Sequence, residues 1–225
     1  MTTLSIIIPT LNEAAAVDAT LAALQPLRAA GYELIVVDGG SVDGTAQWAA
    51  AHVDALLQAP RGRARQMNAG ARAAQGAVLW FLHADSLPSA QAGQLIVDGL
   101  ARSGRDWGRL DVQLSGNHPL LRVVERLMNL RSRITGIATG DQGVFVRRDV
   151  FERLGGFPDI ELMEDIALSR ALKRVGPPLC LDTPLQSSSR RWEQRGIVRT
   201  ILLMWSLRLA YALGVSPTRL LRWYR

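Results

Sequence analysis

Apolar residues fall along this chain in two alternating rhythms: short unbroken runs that stop at polar turns, and longer stretches in which they return every three or four positions. Leu4 to Ile8 runs into Pro9-Thr10-Leu11-Asn12-Glu13, Leu34 to Val37 into Asp38-Gly39-Gly40-Ser41, and Val78 to Leu82 into His83-Ala84-Asp85. Runs of this length without polar interruption predict strands covered on both faces of a sheet. Between them, Val17, Leu21, Leu24 and Leu27 mark a helix over 14–30 that Gly31 stops. A short helix over 45–52, a short strand over 53–57, a helix over 65–75 closed by Gly76 and a helix over 89–103 complete this half. The regular alternation gives the fold class as α/β, with a doubly wound, mostly parallel sheet flanked by helices. Parallel strands that each finish in polar residues set those residues along one sheet edge, where open α/β folds take their ligands.

Past Gly104 the alternation loosens. Strands are predicted over 109–114 and 144–147, helices over 119–131 and 166–175, with the turn Thr139-Gly140-Asp141-Gln142-Gly143 between them. Nothing resembles a flexible linker, so the chain reads as one large domain over 1–189 and a basic, apolar helical segment over 190–225. Within that segment 197–213 is rich in Ile, Leu, Met and Trp but holds Arg199 and Arg208. A bilayer span needs about 20 apolar residues and tolerates guanidinium groups badly, so this helix is expected to pack or to lie flat. The commoner use of such a helix is to cover a domain or form a homodimer interface. The other is peripheral contact with an anionic leaflet, since eight Arg and one acid, Glu193, follow Ser189.

Composition narrows the class. With 48% hydrophobic and 20% charged residues the 225-residue chain can bury a substantial core, which excludes a disordered protein. The net charge of +6 is scattered through the first half, not gathered into a stripe, which argues against a nucleic-acid partner. Lys173 is the only Lys, an Arg bias that genome composition explains as well as phosphate binding does. Cys180 is the only cysteine and Met1-Thr2-Thr3 enters the first strand directly, so a reducing, cytoplasmic location is expected, with the inner membrane face as its peripheral variant.

Several polar residues could carry chemistry. Asp38 stands where a strand opens into Gly39-Gly40, a turn that lets a flat ligand approach, and its carboxylate could accept a hydrogen bond from a base or ribose. Asp43, Gly44 and Thr45 are better explained as a helix cap and its turn. Asp85, at the end of the most apolar strand, can complete an Mg²⁺ or Mn²⁺ shell together with diphosphate oxygens and water, with helix capping as the plainer alternative. His83 beside it is expected to be a structural hydrogen bonder. Glu164 and Asp165 precede a helix, where the macrodipole favours an anion, and Asp165 is the candidate general base. Arg61, Arg63 and Arg65 cluster before another helix and suit a diphosphate, although such runs are commonly solvated. The chain has no Walker signature, no Gly-x-Gly-x-x-Gly after the first strand and too few cysteines for a zinc cluster, so ATPase, dehydrogenase and zinc-protein readings fall away.

Five of these motifs in order, Ile8-Pro9-Thr10-Leu11-Asn12-Glu13, Val37 to Thr45, Arg65 to Gly70, His83-Ala84-Asp85 and Met163-Glu164-Asp165, resemble the series of family 2 glycosyltransferases with the GT-A fold. The Gly140-Asp141-Gln142-Gly143 turn and the short length are similar to a bacterial subgroup assigned to arsenosugar biosynthesis. The resemblance implies a nucleotide-binding half over 1–103 and an acceptor half over 104–189. It implies inverting transfer from a nucleotide-diphosphate sugar, UDP-sugars favoured, to a hydroxyl acceptor. Pro9, Thr10, Asn12 and Glu13 would line the nucleotide pocket, with Asp38 on the base, Arg65 near the base or diphosphate and His83 as a further polar contact. Asp85 would hold Mn²⁺ or Mg²⁺, Asp165 would be the base, and Asp141, Gln142 and Glu164 would meet the acceptor. The family's metal motif has two acids one residue apart, and His83 stands in place of the first. Arg191-Trp192 resembles the Arg-Trp of processive synthases, but Ser188 occupies the position of the Gln that accompanies it. The alternatives are a non-catalytic nucleotide-sugar or membrane-surface binding module and a sugar-phosphate nucleotidyltransferase, although Thr10 to Glu13 lacks the latter's Gly-rich, Arg-containing loop.

Overall fold

The computed structural model describes residues 3–224. Its strands are β1 (Leu4–Thr10), β2 (Glu33–Asp38), β3 (Ala55–Gln58), β4 (Val78–Phe81), β5 (Ser86–Leu87), β6 (Trp107–Leu114), β7 (Phe145–Arg147) and β8 (Leu179–Ser187). Its helices are α1 (Ala14–Ala29), α2 (Thr45–Ala50), α3 (Arg63–Ala73), α4 (Ala92–Ser103), α5 (Pro119–Thr135), α6 (Arg148–Arg153), α7 (Glu164–Val175), α8 (Arg190–Arg195), α9 (Ile197–Ala212) and α10 (Pro217–Tyr224), with a 3₁₀ turn at Gly140–Gln142.

The strands form one sheet in the order β3-β2-β1-β4-β7-β6-β8-β5. Four of its seven pairings are parallel, and β7 and β5 run against their neighbours. The sheet is therefore mixed, parallel on the β3-to-β4 side. Both faces are covered, which is why β1 could be an almost unbroken apolar run. On one face Leu21, Leu24 and Leu27 of α1 and Ile96 and Leu100 of α4 meet Ile6, Ile8, Leu34 and Trp80. On the other, Ala64, Met67 and Ala71 of α3 and Leu168 and Leu172 of α7 meet Ile7, Ile35, Leu79 and Phe81.

Register decides what meets at the site. β1, β2 and β4 run together, so Pro9, Asp38 and the His83-to-Asp85 turn all leave the same sheet edge. β7 opposes β4 with Trp80 paired to Phe145, so the 3₁₀ turn just before β7 lands beside the end of β4. β8 ends by pairing Ser187 with Ser86, which delivers Ser188, Ser189 and Arg190 to that edge as well. Gly70 lets α3 lie against the sheet: a Cβ there would stand 2.5 Å from Ile7 Cγ2. Gln66, on the same helix, donates from Nε2 to the carbonyls of Thr10 and Val37, 2.8 Å each.

The structure corrects several sequence expectations. β8 was not legible, because Asp182, Thr183 and Pro184 break its alternation. α3 begins two residues earlier than predicted, at Arg63, and α4 three residues later, at Ala92. The chain from Arg190 folds back as α8, α9 and α10. Ile197 and Ile201 pack on Val124 and Met128 of α5, while Leu207 and Leu220 pack with Met163 and Ile166. Its outer side stays bare, Trp205 being 62% exposed. No helix among the described residues is long and apolar enough to cross a membrane.

Candidate active site

At the sheet edge where β1, β4 and α3 converge lies a cavity of about 730 Å³. Pro9 and Glu13 from the β1 loop, His83 and Asp85 from the turn after β4, and Arg63 from the first position of α3 line one side. Asp141 from the 3₁₀ turn and Glu164 and Asp165 from the start of α7 line the cavity as well, joined to the first group by Arg63–Glu164 and His83–Asp141 contacts of 3.2 Å each. Arg131 of α5 and Arg190, Arg191 and Arg208 from the C-terminal helices complete the charged wall. The segment after Ser189 thus builds part of the cavity.

Asp165 opens α7 behind Met163, a non-glycine residue held at φ 70°. Its Oδ2 accepts from the Gly140 backbone N–H at 3.0 Å and its Oδ1 from Ile166 N–H at 2.7 Å. Burial and the adjacent Glu164 carboxylate raise its pKa to about 6, against the two backbone donors and Arg63. Glu164 is 3% exposed and accepts from Arg63 Nη1 at 3.2 Å. Burial lowers the Arg63 pKa, but Glu164, Asp165 and Asp141 outweigh it and hold the guanidinium charged. Asp141 behaves oppositely to Asp165. Burial raises it, yet His83 Nδ1 at 3.2 Å, Arg63 and the Ser187 hydroxyl keep its pKa below the usual carboxylate value. Two carboxylates sharing Arg63 are therefore pushed apart in acidity, the pattern that separates a proton acceptor from a permanent anion.

Asp85 makes no hydrogen bond or ion pair among the described residues, and its charge is felt by Glu13, whose pKa is raised by burial and then by Asp85. Among the described residues no three His, Cys, Asp or Glu side chains group as a closed metal cage. An unpaired carboxylate facing the cavity fits an Mg²⁺- or Mn²⁺-type ion that takes one or two protein carboxylates and completes its shell with phosphate oxygens and water.

Other expected site residues stand elsewhere. Asp38 is 1% exposed and turned into its own loop, where it accepts from Gly40 N–H, Ser41 N–H, the Ser41 hydroxyl and the Thr10 hydroxyl. Burial alone would raise its pKa; these four bonds lower it instead. With its acceptor sites filled, Asp38 shapes the turn and does not offer the free carboxylate expected for a base. Thr10 is likewise buried. Asn12, at φ 53°, ties two loops by donating its N–H to Ser41 Oγ and accepting Val42 N–H at Oδ1. The N-cap of α2 is Gly44, at φ 90°, and not Asp43 as expected, but Asp43 and Thr45 are structural: Asp43 accepts from Ala14 and Thr45 N–H, and Thr45 Oγ1 accepts from Glu13 N–H.

Arg65 is corrected: it points away from the cavity to Asp159, Nε to Oδ1 2.8 Å, and Arg63, two residues earlier, takes the inward position because it heads the helix. Gln142 is corrected too. It is fully buried, donates to Asn129 Oδ1 at 3.2 Å and accepts Thr139 N–H, so its amide is spent on holding the turn. Arg131 was missed. Its signal lay in α5, where Leu121, Val124 and Met128 repeat three and four apart and the next position in phase is Arg131.

Comparison with known proteins bears on the family and the fold. Glycosyltransferase AglE of Haloferax volcanii is 29% identical over 170 residues, 69% of this chain and 56% of that protein. Residues 1–349 of S. aureus TarS, 18% identical, superpose with a TM-score of 0.70 over 84% of this chain and 61% of that one. Mannosyltransferase PcManGT from Pyrobaculum calidifontis, solved with GDP-Man and Mn²⁺, gives 0.64 at 23% identity over 98% and 68% of the two chains. The chain thus spans about half the length of AglE and three fifths of the TarS fragment. The eight-stranded mixed sheet is that of these GT-A structures, and with the family profile matching residues 5–154 the chain belongs to glycosyl transferase family 2.

Proposed function

We propose that the chain is an inverting glycosyltransferase that moves a sugar from a nucleotide-diphosphate sugar to a hydroxyl acceptor. The observation that carries this is one cavity holding an unpaired carboxylate, Asp85, at the nucleotide-side edge and a carboxylate of raised pKa, Asp165, in the same lining. Solved neighbours bound to UDP-GlcNAc and to GDP-Man with Mn²⁺ support a nucleotide-sugar donor, and UDP-sugars remain the favoured class. Pro9 and Glu13 border the donor end, and the loop knotted by Asp38, Thr10 and Asn12 sets the shape against which the nucleotide rests.

In the transfer, the acceptor oxygen bonds to the anomeric carbon from the face opposite the diphosphate. The bond from that carbon to the diphosphate oxygen breaks, its electron pair leaves with the nucleotide diphosphate, and the acceptor proton passes to Asp165. A pKa near 6 leaves Asp165 ionised at neutral pH yet basic enough to share that proton in the transition state. Gly140 N–H and Ile166 N–H hold its orientation. Arg63 pairs with Glu164 beside it, and its charge opposes the upward push that burial and Glu164 exert on Asp165. Asp85 would hold a divalent cation, Mn²⁺ or Mg²⁺, which would supply positive charge against the leaving diphosphate. Backbone donors and the charged side chains fixed around the cavity supply orientation and electrostatic stabilisation, which is where most of the rate in such transfers arises.

The subgroup assigned to arsenosugar biosynthesis stays the finer proposal, as does residence at the cytoplasmic membrane face through α9. A panel of nucleotide sugars assayed for thermal stabilisation and for sugar release, with and without Mn²⁺, tests the function. Stabilisation by one nucleotide class together with Mn²⁺-dependent release of the sugar is expected. Stabilisation with the nucleotide sugar left intact would instead establish a binding module, and the absence of both would remove the donor assignment.

A further inference from the structure

The cavity has two chemically different ends. Toward the sheet it is lined by carboxylates and guanidinium groups; outward it runs between α5 and α9 over Val124, Met128, Ile201 and Met204. Arg131 sits where the two meet. Its Nε and Nη2 are shut off from water and have no hydrogen-bond partner among the described residues, and the charges around it are Asp165, Asp141 and, opposing, Arg109. The contrast with Arg109 is direct, because that fully buried guanidinium is met by the Ser132 hydroxyl, Asp111 and the Asn129 carbonyl. Arg131 is half-buried and lines the cavity, so its guanidinium is placed to pair with an anion that a ligand brings. Burial already pushes the Arg131 pKa down, as expected for a charge awaiting a counter-ion.

The mouth is apolar on both rims. Leu120, Val123 and Leu127 of α5 and Trp205 of α9 line the cavity while being 41%, 49%, 51% and 62% exposed. Each rim continues along its helix, through Leu130 and Ile134 on α5 and through Leu202 and Leu209 on α9, all exposed. A contiguous apolar surface of this kind marks a binding face, and a small polar acceptor has no use for it. The volume of about 730 Å³ is that of a site for a sizeable organic molecule.

We infer that the acceptor is an amphiphile whose phosphate or carboxylate group pairs with Arg131 and whose apolar chain lies between α5 and α9 and leaves past Leu127 and Trp205. This rests on the transfer reading above: the hydroxyl carried by that head group lies next to Asp165, gives it its proton and bonds to the sugar as the nucleotide diphosphate departs. Arg190, Arg191 and Arg208 on the same wall draw the anion inward.

Isothermal titration of the full chain with dodecyl phosphate below its micellar concentration, inorganic phosphate and dodecyltrimethylammonium tests it. Dodecyl phosphate is expected to bind at least about tenfold more tightly than either of the others, because only it offers both a charge-assisted pair and apolar burial. Arg131→Gln and the exposed-site Trp205→Ser are each expected to lose about tenfold for dodecyl phosphate and to keep the binding of UDP with Mn²⁺ seen in the parent chain. Equal binding of inorganic phosphate, equal binding of the cationic amphiphile, or an undiminished affinity in both variants would overturn the inference. Loss of UDP binding in the unmutated chain with dodecyl phosphate binding intact would overturn the donor reading and leave the amphiphile site standing.

Discussion

Asp165 is the residue on which the chemistry turns, and its acidity makes its role measurable. Its folded pKa of about 6 lies above the ordinary 3.8, so between those values the folded chain holds the proton more tightly than the unfolded chain does. Stability therefore falls as pH rises through that window, and the cost persists at higher pH. Asp165→Asn removes the buried charge: its melting temperature should exceed that of the parent at pH 8 and the gain should shrink below pH 5, as read by thermal unfolding across pH. Transfer in the parent should fall about tenfold per pH unit below about pH 6 as the base takes up its proton. In Asp165→Asn transfer should drop by roughly 10²–10⁴ at every pH while UDP affinity survives, and equal transfer in the variant would remove the base assignment. The neighbour Asp141, held ionised by His83 and Arg63, cannot substitute for it.

At the level of elements, the site is set by how closely helices approach the sheet. α3 presents Arg63 to Glu164 only because Gly70 brings the helix onto Ile7 and Val37, and Gln66 bonds it to the ends of β1 and β2. Gly70→Ala inserts a methyl 2.5 Å from Ile7 Cγ2, in a core that has no room to give. It should cost about 1–3 kcal/mol, read as a lower urea midpoint at unchanged slope. A midpoint within error of the parent would show that α3 can lift without cost. α5 tells a different story about legibility. Its Pro119 start could be read from the sequence, but its end at Thr135 lies four residues past the predicted one, and its two apolar stripes could not be told apart, one buried through Leu121 and Val124 and one bare through Val123 and Leu127. Periodicity reports that a helix has apolar faces, while the neighbours decide which of them is covered.

At the scale of the molecule, function depends on one edge of one sheet collecting pieces from distant parts of the chain. Asp85 comes from β4, Asp165 from α7, Asp141 from the turn that β7 brings back, and Arg190 from the end of β8. If this convergence holds a cation with the donor, Asp85→Asn should abolish the extra thermal stabilisation that Mn²⁺ adds to UDP, and EDTA should do the same to the parent chain. Retention of the Mn²⁺ effect in Asp85→Asn would move the cation site elsewhere. The C-terminal helices belong to this picture too, since they wall the cavity through Arg191, Met204 and Trp205 and pack through Leu207.

Read alone, the sequence determined the parallel half of the sheet, the edge at which β1, β2 and β4 would deliver their polar ends, the structural role of Asp43 and Thr45 in their turn, and the choice of Asp85 and Asp165 as the residues to watch. These are local matters, written in unbroken apolar runs, turn residues and short spacings that act within a few positions of each other. Only the tertiary structure decided that Arg63 and not Arg65 faces the cavity, that Asp38 and Gln142 spend their hydrogen bonds on the protein itself, that β8 exists, and that Arg131 Nε and Nη2 find no partner among the described residues. Such outcomes depend on which side chain fills which neighbour's donors and acceptors across the sheet, and packing between segments far apart in the chain leaves no periodic mark along it.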